Sequence, residues 1–452
     1  MKSDRYDVIV LGAGVSGLVS SFDLAQRGYG VCLLENYPDP GGNHISKSIS
    51  GFTFDIGAIF FWDNNPLFEM FPKIRDVCVP VDYTIQRVNP DGIVTRYPYS
   101  IRDEFLTMSA MEMGRSIADL LYAKYKYRHH RSAEDYINYY LGSFLARKSG
   151  IDRYVERFYG IPSSRISHEF AHKRMNWIGS NAGLRERLKR AASPRSRQQG
   201  TPAASCIARP RSGFGDMYHL AVETLTDMGV ASAFDAGIDR IRRCNGHYVV
   251  ETRTGTLHCD RVLSTFPLQI TGSLLGFETA SAPVSTKMLT LFCSFDGNRK
   301  FDTTILYNFH AKGSWKRLTM HSDYYGRSEG REYFSVEITC IGPVPEEGAA
   351  FADFVESVRS VGLFSGTIHR LGSVVTDFAY PVYQIGSELG RDRYMSRIRS
   401  AGIDLVGRQG LFDYIPASDI AARNALAATG QTYEDKSPVL TEMSAAGGRL
   451  PQ

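Results

Sequence analysis

The stretch that decides the fold is Tyr6–Glu35, YDVIVLGAGVSGLVSSFDLAQRGYGVCLLE. Tyr6–Leu11 is an apolar, β-rich run of the kind that suits a strand buried on both faces. Gly12, Gly14 and Gly17 follow in G-x-G-x-x-G spacing. In such a motif the first glycine permits the tight turn. The second lets the backbone approach a ligand closely, and the third lets helix and strand pack together. Val15–Arg27 then reads as a helix, with Val15 and Ser16 in its first turn and Gly28 at its C′ position. Val31–Leu34 reads as a second strand, ended by Glu35, 18 residues beyond Gly17. The helix N-terminus offers unpaired N–H groups and a positive dipole end to phosphates. A carboxylate at Glu35 can accept ribose hydroxyl protons. An ordinary glycine-rich turn would explain the glycines but not the strand, helix and acid around them. The expectation is a dinucleotide-binding βαβ unit.

Two further backbone loops follow. Asp39–His44 (DPGGNH) brings a second glycine pair, Gly41 and Gly42, then Asn43 and His44. Gly51–Ala58 (GFTFDIGA) reads as a short hairpin-like run. These loops suit a longer, two-ended ligand such as FAD, whose ribityl chain and ring must also be held.

Beyond them, residues from about 105 to 158 read as mostly helical. Residues 185–211 carry eight Arg/Lys against one acid and read as a mobile, polar linker. Strand patterns return at Tyr248–Thr252, Arg261–Ser264, Lys287–Phe295 and Tyr333–Thr339. A glycine-marked turn at Gly407–Gly410 and a helix from about Ser418 to Ala428 complete the pattern, and the chain after Gln431 reads as frayed.

Composition narrows the classes. The 452 residues exceed the usual size of one domain about threefold. Hydrophobic residues make up 43% and charged residues 22%, which excludes wholesale disorder and rods. Lys plus Arg number 52 against 48 Asp plus Glu, so a dedicated nucleic-acid binder is not expected. No apolar run approaches a membrane span. The seven dispersed cysteines show no CxxC pair and read as buried free thiols. No metal-ligand spacing appears. The N-terminus lacks the apolar core and cleavage site of a signal peptide, so the chain reads as cytoplasmic.

Asp7–Ala58, read as DVIVLGAGVSGLVSSFDLAQRG…LLE…PGGN…GFTFDIGA, resembles the flavin-containing amine oxidase and protoporphyrinogen oxidase superfamily. Gly41-Gly42-Asn43 also resembles the related UDP-galactopyranose mutases. Looser likenesses continue through Tyr159–Arg174, Pro210–Gly215, Ile238–Ile241, Ser264–Pro267, Ala379–Pro381 and Gly407–Tyr414. The resemblance implies an α/β fold: a Rossmann-like, glutathione-reductase-like FAD domain with an inserted α+β substrate domain on a mixed sheet. The FAD domain would comprise 1–75, 205–267 and 400–435. The substrate domain would comprise 76–204 and 268–399, leaving 436–452 as a tail.

On the same resemblance, Glu35 would bind the adenosine ribose and the Ile238 backbone the adenine. Thr265 would stand at the strand end where the chain leaves the flavin domain. Gly42 and Asn43 would follow the pyrophosphate and ribityl chain. Gly57 and Ala58 would line the ring near its reactive edge. Gly407, Arg408 and the helix start at Ser418, Asp419 and Ile420 would face the pyrophosphate–ribityl and pyrimidine end.

The catalytic candidates follow. Lys287 opens an alternating strand, where many amine oxidases hold a water near the flavin with a lysine; the plain alternative is an exposed strand-end lysine. Tyr380, Tyr383, Phe412 and Tyr414 are aromatic candidates for a substrate cage, or ordinary core. His44 is an acid–base candidate or a structural histidine. Arg174, Arg317 and Lys287 would orient an anionic or polar small-molecule substrate.

Two departures matter. Ile59 stands where the mutases carry a histidine, and Asn43 where many amine oxidases carry an arginine. The expected function is hydride transfer from a small molecule to FAD. The alternatives are a redox-neutral nucleotide-sugar mutase and a non-catalytic flavin binder.

Overall fold

The structure is a computed structural model that describes residues 4–57, 59–97, 108–182 and 206–432. Ala58, most of the basic 185–211 stretch and the 436–452 tail lie outside the described residues.

The opening stretch folds as β1 (Arg5–Leu11), α1 (Val15–Gln26) and β2 (Val31–Leu34). Val8–Leu11 and all of β2 are buried, as an apolar run between helical layers requires. Arg27 caps α1, and Gly28 follows at φ +86°, where a side chain would be strained. Strands β1 and β2 sit in a seven-stranded sheet. Its order is Ala231–Ala233, β2, β1, β3 (Gly255–Ser264), His247–Thr252 and Arg240–Cys244. The β1–β2, β1–β3 and β2 to Ala231–Ala233 pairings are parallel, and Ile403–Leu405 adds to β3 in parallel. The helix Ser418–Thr432 packs along α1.

The middle of the chain contributes four successive helices. They are α2 (Ala110–Lys126), α3 (Ala133–Leu141), α4 (Ser143–Ser149) and α5 (Ile151–Tyr159), followed by α6 (His168–Ala182). A second seven-stranded sheet is mixed. It contains β4 (Lys287–Arg299), β5 (Ile305–Asn308), β6 (Arg317–Met320), β7 (Glu332–Cys340) and β8 (Phe364–Thr376), in the order β8-β4-β7-β6-β5, then Ile85–Val88 and Val94–Arg96. The molecule is therefore α/β, with a Rossmann-like unit and a second α+β unit on a mixed sheet.

Two expectations need correction. The basic stretch is not a loop to its end: Cys206–Ala208 is a buried strand between Phe61–Trp62 and Val79–Val81. Arg209 next to it is fully buried and ion-paired to Asp55, and also donates to Thr53 O at 2.9 Å. A guanidinium enclosed this way needs a carboxylate and carbonyls to offset its lost hydration. The cysteines are all free, but they are not all buried, because Cys244 is exposed.

Candidate functional site

The β1–α1 turn is as tight as its glycines require. A Cβ on Gly17 would stand 1.7 Å from Gly12 O, and one on Gly12 would stand 2.3 Å from Thr265 Oγ1. Thr265 is held there by donating its hydroxyl to Leu11 O at 2.9 Å. Gly14 forms a parallel bridge with Gly41, whose N–H donates to Ala13 O at 2.9 Å. A Cβ on Gly42 would come 3.0 Å from Gly14 Cα. The two glycine loops thus meet backbone to backbone in front of the α1 N-terminus, where Val15 and Ser16 are buried. Gly407, at φ +79°, closes a third side: its Cβ would lie 2.6 Å from Ser16 Oγ.

Glu35 is fixed by three backbone donors. Ala13 N–H reaches Oε2 at 2.8 Å, while Asn36 and Tyr37 N–H reach Oε1 at 2.7 and 3.0 Å. Burial raises its pKa against the opposing pull of these amides. Oε2, with a single donor, still has acceptor capacity for a ribose hydroxyl. Ile238 stands close by, its N–H donating to Asn36 Oδ1 at 3.0 Å. That amide is already engaged within the chain.

His44 props the second loop. Its Nδ1 is 2.5 Å from Tyr218 Oη, and its ring packs on Phe61 and Phe214. The Tyr218 ring in turn lies 2.9 Å from where a Gly41 Cβ would be. Burial, then the nearby Arg408 charge, lowers the His44 pKa to about 4, so the imidazole is neutral at pH 7. Asn43 is half-buried between this prop and Gly42. Ser418 accepts from Asn65 Nδ2 at 2.9 Å, Asp419 pairs with Arg423 at 3.1 Å, and Ile420 is exposed.

From the cradle a line of charged and aromatic side chains leads into the second sheet. Arg408 donates to Ala379 O and lies 5.1 Å over the Tyr380 ring. Lys316, with only 1% of its side chain exposed, donates to Tyr380 Oη at 3.1 Å and lies 2.9 Å from Glu337 Oε2. Arg317 donates to the other oxygen, Glu337 Oε1, from Nε at 2.8 Å and Nη2 at 2.5 Å. Arg317 and Glu337 face each other across β6 and β7, which is why one carboxylate serves both cations. Gly57, at φ +113°, borders this group: its Cβ would lie 3.5 Å from Arg317 Nη2.

Burial raises the Tyr380 pKa, but Lys316, Arg317 and Arg408 outweigh it and hold the phenol below its ordinary value. Burial likewise opposes charge on Glu337, yet Arg317 and Lys316 keep its pKa low. The group is therefore ionised: four cations, counting Arg174, against one carboxylate.

Arg174 from α6 completes the wall. It donates to Tyr97 Oη at 3.0 Å and lies 5.8 Å from the rings of Phe158 and Tyr414. Tyr414 stands 6.2 Å from Tyr380. Arg174 Nε and Arg408 Nε are buried without a hydrogen-bond partner.

The structure thus brings Arg174, Arg317, Tyr380, Tyr414 and Arg408 together. It does not bring Lys287 to them. That side chain is half exposed and pairs with Asp377 at 3.4 Å. Tyr383 and Phe412 are core residues, with the Tyr383 hydroxyl bound to Asp413 at 3.1 Å. Sequence reasoning missed Lys316 and Glu337. Their signal was present: Glu337 is the one acid in the apolar run Phe334–Ile338, and a charge inside a buried strand needs partners. Among the described residues no group of three or more His, Cys, Asp or Glu is placed to hold a metal.

Cradle, second glycine loop and mixed-sheet wall together make a fold that a known mutase and known oxidases share. Residues 10–74 match the NAD(P)-binding Rossmann-like domain family. The structure is similar to a reduced UDP-galactopyranose mutase, with a TM-score of 0.74 at 17% identity over 95% of this chain and 97% of that one. It is also similar to a putative protoporphyrinogen oxidase from Exiguobacterium, with a TM-score of 0.68 at 16% identity over 95% and 99%. In sequence, it is 46% identical over 57 residues to a prolycopene isomerase of Daucus carota, covering 13% of this chain and 9% of that one. It is 26% identical over 285 residues to a carotenoid 3,4-desaturase of Haloarcula japonica, covering 57% and 55%. The chain spans about a tenth of the plant isomerases it matches and about half of the desaturase.

Proposed function

We propose that this chain is an FAD-dependent oxidoreductase that oxidises a small-molecule substrate. In this reading 1–75, 205–267 and 400–435 hold the cofactor, and 76–204 and 268–399 hold the substrate. The observation that carries it is continuity: the cradle of Gly12, Gly14, Gly17, Gly41 and Gly42 runs through Arg408 into the Gly57–Arg317–Tyr380 wall. A short nucleotide needs the first part only. FAD needs both, and the residues fit it: bare backbone where a pyrophosphate passes, a fixed carboxylate for ribose, and a buried, unpartnered Arg408 Nε.

When bound, FAD would supply the redox chemistry, as acceptor for the substrate's hydride. The chain's residues have other tasks. Glu35 and Gly42 bind the cofactor. Arg408 and the Lys316–Arg317–Glu337 group set a net positive field in a buried place, where charge acts strongly. Lys316 holds the Tyr380 hydroxyl and keeps it ready to take or give a proton. Tyr414, Tyr97 and Phe158 exclude water around Arg174, which is placed to orient a polar or anionic group of the substrate.

The mutase reading is not favoured. At 17% identity the likeness to a mutase is one of fold, and the relatives found by sequence include prolycopene isomerases, a carotenoid desaturase and a limonene dehydrogenase subunit. The test is an anaerobic visible titration with candidate amines, polyenes and nucleotide sugars. Bleaching of the flavin band by one of them supports oxidation. Turnover that needs prior reduction and leaves the spectrum unchanged would overturn it.

A further inference from the structure

Helix α2 is built inside out. Of its 17 residues only Ser116 and Ala123 are buried. Its inward contacts are polar: Glu112 pairs with Lys148 at 2.7 Å, Asp119 accepts the Phe144 N–H at 2.7 Å, and Lys124 lies 3.7 Å from the Tyr139 ring. The outward side carries the apolar residues. Met111 is 85% exposed, Ile117 51%, Leu121 69%, Tyr122 60% and Tyr125 84%. Ile117, Leu121 and Tyr125 recur every four residues, and Gly114 and Ala118 fall on the same stripe, so the face is continuous. Of the fourteen exposed large hydrophobic residues among the described ones, six belong to this helix. A helix of a globular domain turns such a stripe to the core. One that turns it to solvent marks a contact surface.

We infer that α2 is an interfacial helix that seats the protein on an anionic lipid surface. The charges select this occupant. Arg115 and Lys126 flank one edge of the stripe, and Arg128, His129 and Arg131 follow the helix end. Both acids of the helix are engaged on its inner side. An apolar face with basic margins and tyrosines is the pattern that lies in a headgroup layer. A second copy of the chain would instead set one cationic margin against another. At about 1.5 Å per residue the helix is also too short, and too charged, to cross a bilayer. No described helix is long and apolar enough to do so. The capping box of Ser109 and Glu112 fixes the start of the helix, so the stripe is formed before any surface is met.

The inference stands apart from the flavin reading, and its test needs no substrate. The purified full-length chain is sedimented with phosphatidylcholine vesicles, and with vesicles containing about one third phosphatidylserine. Binding to the anionic vesicles only, weakened about tenfold or more by molar salt, is expected. Ile117→Ser with Leu121→Ser should abolish it, and Lys126→Gln with Arg128→Gln should weaken it, at an unchanged thermal midpoint. Binding to neither vesicle type, or equal binding to both, overturns the inference without recourse to any variant. So does a dimer that Leu121→Ser dissolves in a protein that ignores vesicles, because the face is then a contact between copies.

Discussion

Lys316 and Lys287 make the sharpest contrast between single residues. Both precede or open strands of the mixed sheet, but only Lys316 is enclosed, against Glu337 and Tyr380. Lys316→Met removes a charge-assisted hydrogen bond, worth about 1.5–3 kcal/mol, or roughly ten- to hundredfold in rate. The expected result is slower anaerobic flavin bleaching by that factor, with Tyr380 titrating at higher pH in an ultraviolet titration. Lys287→Met, which breaks only a half-exposed pair, should change the rate less than about twofold. Equal effects would show that the enclosed cluster has no special part in the reaction.

At the scale of elements, the sequence was most legible where neighbours in the chain are neighbours in space. The runs Tyr6–Leu11 and Val31–Leu34 are strands, and the helix after Gly14 ends at Gln26, one residue short of the expected Arg27, which caps it just before Gly28. Buried parallel strands have no polar face, so an apolar run between glycine turns identifies them. The candidate wall was legible only in pieces. Arg174, Arg317, Tyr380, Tyr414 and Arg408 come from α6, β6 and the segments after β8, and only folding joins them. Glu337 stands across a strand pair from Arg317, a register that no local pattern gives. Arg209 was missed for a similar reason: the basic composition of its surroundings hid a carboxylate partner more than 150 residues away.

Gly17→Ala would force a methyl 1.7 Å from Gly12 O, where only backbone can yield. It should therefore cost stability as well as cofactor, seen as a lower denaturation midpoint in the apoprotein.

Over the whole molecule, buried histidines set the response to acid. His321 is fully buried, bonded through Nε2 to Ser335 Oγ at 2.9 Å, and burial lowers its pKa to about 4. His44 is held at about 4 as well. In the unfolded chain each would titrate near ~6.5. As pH falls, the unfolded state takes up these protons first. The stability they confer is complete above about pH 6.5 and is lost as pH falls towards about 4. For His321 the loss amounts to about 3 kcal/mol, and for the less enclosed His44 it is smaller. Urea unfolding at pH 7 and pH 4.5 should show this drop, and His321→Gln should flatten it. A stability that rises between pH 6.5 and 4.5 would contradict these assignments.

The central claim is that the two glycine loops and the mixed-sheet wall form one FAD site, and Gly14 offers the most direct test. It has the extended φ of −76° that any residue adopts, and a Cβ there meets Gly42 Cα at an ordinary 3.5 Å. A Cβ at Gly14 therefore has room in the fold, and the branched side chain of Gly14→Val takes up cradle space. The measurement is FAD binding to the apoprotein, by fluorescence quenching, for the natural chain and Gly14→Val at matched thermal stability. The account predicts tight, stoichiometric binding by the natural chain and a loss of about a hundredfold or more in the variant. A natural chain that takes up no FAD, or a variant that binds it equally well, would contradict the account.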